Sequence, residues 1–340
     1  MMSWNRLRVV SAMVCMIIVL AVAAGCGQAS VKEGGAGSNG SGASAGASSS
    51  NGASPGAAQM EDKGTMAYEA ANGKIEVPKQ PKRVLVLGDS YYGYLLALGI
   101  QPIGVTDHVK SNPYFAGYVN VPDLGDGKST EKVLELQPDL IIVFQSDDGS
   151  IDQLSKIAPT VAIAYGKLPL REQLLEFGKL TGREKQAADW IAKWDQKIKD
   201  AEPKVKAAVG DQTVSILQPY AKGIYAFGHN YGRGGEILYG EFKLKAPSPI
   251  QKDAIDNGKG WASLSLEVLP EYAGDFIFTS PWTGDQGDPD AVYGSTIWKN
   301  LPAVKNNRVF ELNKDAAYFN DPVSMEKHLE FIVQKLTGSR

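Results

Sequence analysis

A long charged stretch with one narrow apolar stripe constrains this chain most. Between Thr181 and Ala208, apolar residues recur at Ala187, Ile191, Trp194, Ile198, Ala201, Val205 and Ala208. Steps of four and three place them on one face of an α-helix, while Lys, Asp, Gln and Glu fill the others. Gly182 beside Thr181 punctuates the start. Pro203 conflicts with the pattern, because proline removes a helical hydrogen bond; it predicts a bend there, or an early end with a short second piece. Strand and helix patterns alternate on both sides of the stretch. The expected fold is therefore α/β: two Rossmann-like α/β lobes joined by a single backbone helix, with a ligand cleft between them. The expected boundaries are 66–181 for the first lobe, 182–208 for the helix and 209–340 for the second lobe.

The segment ahead of the lobes has another character. Arg6 and Arg8 precede an apolar run from Val9 to Ala24. At about 16 residues the run is short of the roughly 20 that span a bilayer, and small residues follow it, so residues 1–25 read as a signal peptide. Ala23-Ala24-Gly25-Cys26 resembles the bacterial lipobox, with Ala23 where Leu is more usual. That resemblance implies a lipid on Cys26 and anchoring at the extracytoplasmic face of the cell membrane. Of the two cysteines, Cys15 leaves with the signal, so Cys26 has no partner for an internal disulfide. Residues 26–65 then form a tether of Gly, Ser and Ala. About 34 such residues reach roughly 30 Å. Net charge is −3, becoming −5 once Arg6 and Arg8 are removed, and no basic stripe offers a nucleic-acid surface.

In the first lobe, strands are expected at Lys82–Leu87, Pro102–Val105, Asp139–Phe144 and Thr160–Ala164, with helices at Tyr91–Leu98, Glu131–Leu136, Ile151–Ile157 and Leu170–Leu180. Ligands of such sheets bind beyond the carboxyl ends of the strands, which makes the loops at Asp89–Tyr92 and Gln145–Asp148 cleft-wall candidates. Gly88-Asp89-Ser90 resembles the opening block of GDS-type serine hydrolases, and Gly228-His229-Asn230 imitates their G-x-N block. Such an enzyme needs a base from Asp-x-x-His. The residues three before His108, His229 and His328 are Val105, Ala226 and Met325, and a serine without a positioned base is a poor nucleophile. Ser90 reads instead as a helix N-cap, and no catalytic residue is assigned.

In the second lobe, strands are expected at Thr213–Leu217, Gly223–Phe227, Asp275–Thr279 and Arg308–Leu312, with helices at Gly234–Tyr239, Leu264–Glu271, Ala291–Lys299 and Pro322–Leu336. One segment echoes the first lobe. Glu131, Glu135 and Asp139 share offsets with Glu267, Glu271 and Asp275, and each set runs from a short helix into an apolar strand.

The densest polar stretch is Gly223 to Glu236. Arg233 between glycines offers a fixed positive charge at close approach, suited to an oxygen-rich metal chelate, and Tyr and Trp add flat walls with one polar edge. A phosphate loop of the G-x-G-x-x-G kind fails at Ile237. The three scattered histidines do not make a Zn²⁺ or Mn²⁺ site, so no direct metal ligand and no cofactor is expected. His229 is the one candidate for an axial haem ligand.

These residues resemble the siderophore-binding lipoproteins of bacterial ABC importers. The resemblance runs through Pro78–Val86, Leu95–Val105, Glu131–Ile142, Leu154–Val161, Tyr231–Tyr239, Trp261–Ile277 and Asn320-Asp321-Pro322, and the last part of it is most similar to the ferric hydroxamate branch. It implies a monomer, not an enzyme, that captures a ferric siderophore and delivers it to an ABC permease dimer with its ATPase. Glu131 and Glu267 fall where that family docks Arg pockets of the permease. Ligand roles carry over to Tyr225, Tyr231, Arg233 and Tyr318, with Tyr231 and Tyr318 standing where some hydroxamate binders have Trp. Trp282 and Tyr92 are added because their loops are expected to face the cleft. Ferric catecholate, ferric citrate and haem are the alternative ligands. The resemblance also implies that the stiff helix limits closure to a few degrees.

Overall fold

The computed structural model describes residues 64–146, 149–281 and 287–338. It begins with a hairpin, β1 (Thr65–Ala70) and β2 (Gly73–Pro78), paired antiparallel. β3 (Val84–Val86), α1 (Tyr92–Ala97), α2 (Asp107–Ser111), α3 (Thr130–Glu135), β4 (Leu140–Phe144), α4 (Ser150–Leu154), β5 (Thr160–Ile163) and α5 (Leu170–Thr181) follow. The linking helix is α6 (Glu184–Val209). After it come β6 (Val214–Tyr220), β7 (Gly223–Phe227), a π-helical turn at Glu236–Glu241, α7 (Ser248–Ile250) with a second π-helical turn at Gln251–Asp256, and β8 (Trp261–Leu264). The chain closes with α8 (Leu269–Tyr272), β9 (Phe276–Thr279), α9 (Asp290–Tyr293), α10 (Thr296–Asn300), α11 (Pro302–Lys305), β10 (Val309–Glu311) and α12 (Pro322–Thr337).

Two sheets result. The first is parallel, in the order β3-β4-β5. The second runs β10-β9-β6-β7-β8, parallel from β10 to β6 and antiparallel beyond. Period-two alternation divides each sheet between two cores. Val84, Val86, Leu140 and Ile142 face one cluster, and Leu85, Ile141 and Val143 face another. Val214, Ile216, Phe276 and Phe278 face the first of these clusters again, while Leu217 and Ile277 face a third.

The cluster shared by both sheets also holds the buried stripe of α6, namely Ala187, Trp194, Ile198, Val205 and Val209. The linking helix is thus part of the core of both halves. A polar clamp reinforces it. Arg171 of α5 donates to Glu241 (2.6 and 3.0 Å) and to Asp195 of α6 (2.6 and 2.8 Å), and Trp194 Nε1 donates to Glu241 (2.9 Å).

Several expectations need correction. The helix neither stops nor splits at Pro203. Pro203 and Lys199 lie on the exposed face, where a carbonyl that loses its helical donor costs least, and Val205 and Val209 continue the buried stripe. Ala208 is exposed. Pro102–Val105 is not a strand: Ile103 N bonds the Val84 carbonyl, and an isolated bridge joins Val105 to Asp123. Pro102 has no N–H to extend a ladder. The helix expected from Leu264 is strand β8 up to that residue, followed by the short α8. The helix expected near Ala291–Lys299 is broken into α9 and α10 by Gly294, with Ser295 capping the second. Ser90 caps nothing: it lies in a 3-10 turn, and neither that turn nor α1 has a side-chain cap.

Candidate ligand-binding cleft

Residues beyond the carboxyl ends of several strands come together, as the open-sheet rule requires. Asp89 and Ser90 follow β3, Tyr165 follows β5, and Ser280 follows β9. Gln218 lies near the end of β6, and its Nε2 donates to Ser280 Oγ (2.9 Å). The β7 exit then turns at Gly228 into the segment carrying Tyr231 and Arg233.

That segment has a strained local geometry with a readable cause. Gly232, Arg233 and Gly234 all have positive φ (73°, 55° and 80°). A Cβ on Gly232 would lie 2.4 Å from the Tyr318 carbonyl oxygen, and one on Gly235 would lie 2.0 Å from that of Gly228. Arg233 N donates to the Ala317 carbonyl (2.6 Å). The glycines therefore let the turn press against the backbone of residues 317–318 and hold Arg233 in a left-handed conformation that costs about 1–2 kcal/mol.

The guanidinium is buried, with Arg233 only 2% exposed. It sits 4.3 Å from the Phe227 ring centroid and 5.4 Å from that of Tyr318, within cation–π range. Its Nε donates to Gln218 Oε1 (3.2 Å) and its Nη1 to the Tyr231 carbonyl. Burial works against the charge and lowers its pKa, while Tyr165, Tyr318 and Glu236 oppose that shift. Burial likewise raises the Glu236 pKa. Glu236 Oε1 accepts from Gly232 N (2.9 Å) and Asn320 Nδ2 (3.3 Å), tying the turn to the segment before α12.

Tyrosines cup the charge. Tyr165 stacks on Tyr318 (5.9 Å, 6°) and meets Tyr231 edge-on (5.5 Å, 63°). The Tyr165 hydroxyl is buried beside them, and Ser90 is fully buried. Tyr225 belongs to an adjoining aromatic group, stacked on Tyr220 (3.9 Å) and perpendicular to Trp261 (5.5 Å). It lies 6.0 Å from Phe227, which connects it to Arg233.

Tyr231, Arg233 and Tyr318 thus share one cluster, with Tyr225 beside it. Tyr92 is elsewhere. It is fully buried, its hydroxyl donates to the Tyr118 carbonyl (2.8 Å), and its ring packs on Phe115. The turn of α1 carries it into the core cluster that also holds Phe115 and Phe319. Trp282 lies outside the described residues, as does Cys26. Tyr165, Phe227 and Gln218 are members that sequence reasoning missed; Tyr165 stands two residues past β5, where the strand-end rule would have found it. His229, the haem-ligand candidate, lines a neighbouring cavity of about 580 Å³ with Lys167, Arg171 and Glu241.

Glu131 and Glu267 are both exposed. Ser129 Oγ donates to Glu131 Oε2 (3.0 Å). The Glu131 carboxylate is held below its usual pKa by its own backbone amide and then by Ser129; Glu267 is held low by Ser265 and then by its own amide. Each echo acid is therefore favoured in its ionised form by its own backbone amide together with a serine two residues before it.

Among the described residues no group of three His, Cys, Asp or Glu could hold a metal ion, and no helix is long and apolar enough to cross a membrane.

This combination, two α/β sheets sharing a core with a linking helix and an aromatic–arginine cup at their strand ends, defines a class of two-lobed solute-binding proteins. The periplasmic binding protein family model matches residues 84–316, and the chain belongs to that family. It is 50% identical over 274 residues to the iron(3+)-hydroxamate-binding protein FhuD of Bacillus subtilis, covering 80% of this chain and 87% of that protein. It is 38% identical to the iron(3+)-hydroxamate-binding protein YxeB of the same organism, covering 79% and 84%. A Bacillus subtilis FhuD-fold crystal structure, described as the binding-protein component of a ferrichrome ABC transporter, matches with a TM-score of 0.75 and 49% identity, covering 80% of this chain and all of that one. FhuD2 of Staphylococcus aureus with bound ferrioxamine B matches with a TM-score of 0.69 and 32% identity, covering 76% and 99%.

Proposed function

We propose that this chain is a lipid-anchored, extracytoplasmic binding protein that captures a ferric hydroxamate siderophore and delivers it to an ABC permease. The observation that carries the reading is Arg233, a buried guanidinium beneath Tyr165, Tyr231 and Tyr318. A ferric hydroxamate has iron ringed by oxygens inside an apolar shell. The guanidinium meets the oxygens as a fork of donors, the rings meet the shell, and the protein does not touch iron. The named functions of the hydroxamate-binding relatives support the same ligand class.

The residues divide the work. Arg233 and the tyrosines bind, while Gly232, Gly234 and Glu236 position Arg233. Glu131 and Glu267, one on each half, present ionised carboxylates to cationic pockets of a two-fold permease. Cys26 carries the anchor, and the tether lets the body move beside the membrane. The shared core and the Arg171 clamp support a small closure. The protein acts as a monomer.

Titration of the full chain with iron-loaded chelators, followed by tyrosine and tryptophan fluorescence, tests the ligand. The panel holds a trihydroxamate, a citrate-hydroxamate, a catecholate, ferric citrate and haem, each with its iron-free control. Tight binding of a hydroxamate class alone is expected. Binding confined to the catecholate, ferric citrate or haem overturns the hydroxamate assignment.

A further inference from the structure

Beside the tyrosine cup lies a polar cluster that the chelate-binding residues do not include. Asp89 follows the turn after β3, and both of its carboxylate oxygens are engaged. Thr106 Oγ1 donates to Oδ1 (2.6 Å), and His108 Nδ1 lies 3.0 Å from Oδ2. Thr106 is also the N-cap of α2, the helix that carries His108. The start of that helix therefore fixes the carboxylate and the imidazole relative to each other.

The pair is joined to the cup. The His108 ring packs on Tyr318 (5.3 Å) and Phe319 (5.2 Å). Tyr318 in turn stacks on Tyr165 and lies over Arg233. Burial raises the Tyr318 pKa, and the nearby Asp89 carboxylate adds to that direction. Ser90, the next residue, is fully buried. Unlike Arg233, the pair is open to solvent: its side chains are 45% (His108) and 21% (Asp89) exposed. A cup floored by a buried cation thus has a rim carrying a carboxylate. Asp107 beside it is another acid, and Lys110 on the same helix is engaged by Asp123 (2.5 Å) and Asp107 (4.0 Å).

We infer that Asp89 and His108 form a rim subsite for a protonated amine at the periphery of the bound chelate. This rests on the hydroxamate reading above. An imidazole that donates Nδ1–H to the carboxylate leaves Nε2 as an acceptor. The carboxylate, held in place by Thr106 and His108, suits an ammonium group, which has three donors and one positive charge. The iron-bearing core meets Arg233 and the tyrosines; the rim reads what hangs from that core. The chain accordingly favours linear ferric trihydroxamates ending in a primary amine over the same chelates without one.

The test compares two ligands that differ only at that amine: a linear, amine-terminated ferric trihydroxamate and its N-acetylated form. Each is titrated into the full chain, into Asp89→Asn and into His108→Gln, at low and high salt. The unmodified protein is expected to bind the free amine about two- to fivefold more tightly, the range of a partly exposed charge pair. That ratio shrinks at high salt and falls to one in Asp89→Asn. Equal binding of the two forms by the unmodified protein, or a ratio that survives in both variants, overturns the subsite and leaves the hydroxamate reading standing. Failure of both chelates to bind overturns the subsite, and the wider chelator panel then decides the hydroxamate reading. Should Asp89→Asn fail to fold, the salt dependence and His108→Gln decide.

Discussion

Gly93 is predicted to be the least replaceable small residue in the molecule. It lies on α1, and the N-terminus of α12 crosses over it. A Cβ added there would lie 1.7 Å from Asp321 Oδ1, 2.2 Å from its Cγ and 2.9 Å from its Cβ. Asp321 cannot simply swing aside, because it is fully buried and its Oδ1 caps α12 by accepting from Val323 N (2.9 Å) and Ser324 N (3.0 Å). Gly93→Ala must therefore either evict the cap or push the two helices apart. Losing the cap costs about 0.5–2 kcal/mol, and overpacking a closed contact costs about 1–3 kcal/mol. The expected destabilisation is about 1–3 kcal/mol, read by urea denaturation, with a fall in Tm of at least about 2 °C. The same contact sets how closely α1 of the first half approaches α12 of the second, so siderophore affinity should fall although no cleft residue has changed. A double-mutant cycle identifies the cause: in an Asp321→Ala background the cost of Gly93→Ala should drop by more than about 1 kcal/mol. A fully additive cycle would refute the steric argument, as would Gly93→Ala at wild-type stability.

Four further outcomes are expected. Arg233→Ala should lower affinity for the ferric chelate at least tenfold, since hydrogen bonds from a charged donor contribute about 1.5–3 kcal/mol; an unchanged titration would remove Arg233 from the site. Reversing Glu131 or Glu267 to Lys should abolish uptake in cells while leaving the in vitro ligand titration intact, and an equal loss of affinity would move those residues into the fold or the cleft. Burial lowers the His328 pKa from 6.5 to about 4, so the unfolded chain takes up its proton first, and stability is lost as pH falls from about 6.5 to about 4. Burial raises the Asp321 pKa from 3.8 to about 6, so the folded chain takes up that proton first, and stability is gained as pH falls from about 6 to 3.8. Against that background His328→Phe should make stability rise on acidification from pH 6 to pH 4, measured by urea midpoints; the same slope as wild type would contradict the assignment. Small-angle scattering of the free and loaded protein should give nearly superimposable profiles, and a large compaction would sink the stiff-joint reading.

Long-period signals were the legible part of the fold. The α6 stripe predicted its buried face through Val205, and apolar runs located most of the strands to within two residues. What escaped was decided by single hydrogen bonds and by tertiary pairing. The β1–β2 hairpin turns at Ala71-Asn72 before Gly73 at φ 104°, and Asn72 then docks on β5 by bonding the Thr160 carbonyl and Ala162 N (both 2.9 Å). Asn-Gly is a strong turn signal, but the Gly/Ala-rich tether beside it masked the alternation. β8 exists because β7 offers it an antiparallel partner, a fact no local window contains. In the cup, the Gly-Arg-Gly turn was readable because it breaks local rules, and such breaks mark sites. Tyr92 misled because Tyr91 and Tyr92 both turn into the core, a packing outcome that no local window of sequence contains.

The internal echo of acids separates into two tasks once the hydrogen bonds are followed. Asp139 accepts from the backbone of Lys82 and Arg83 (2.7 and 2.9 Å), fastening the start of β4 to the start of β3. Asp275 accepts from Thr213 N and Oγ1 (2.7 and 2.9 Å), fastening β9 to β6 in the same way. The later acid of each echo is thus committed to the sheet, and its spacing follows from parallel-strand pairing. The earlier acid is not needed for pairing: Glu131 and Glu267 are exposed, and what holds each ionised is local, a serine two residues before it and its own amide. Holding an exposed carboxylate ionised adds little to stability. Its presence at the same place on both halves fits the docking proposed above, to a surface that meets both halves at once. In that reading the repeat carries topology at one position and partner recognition at the other.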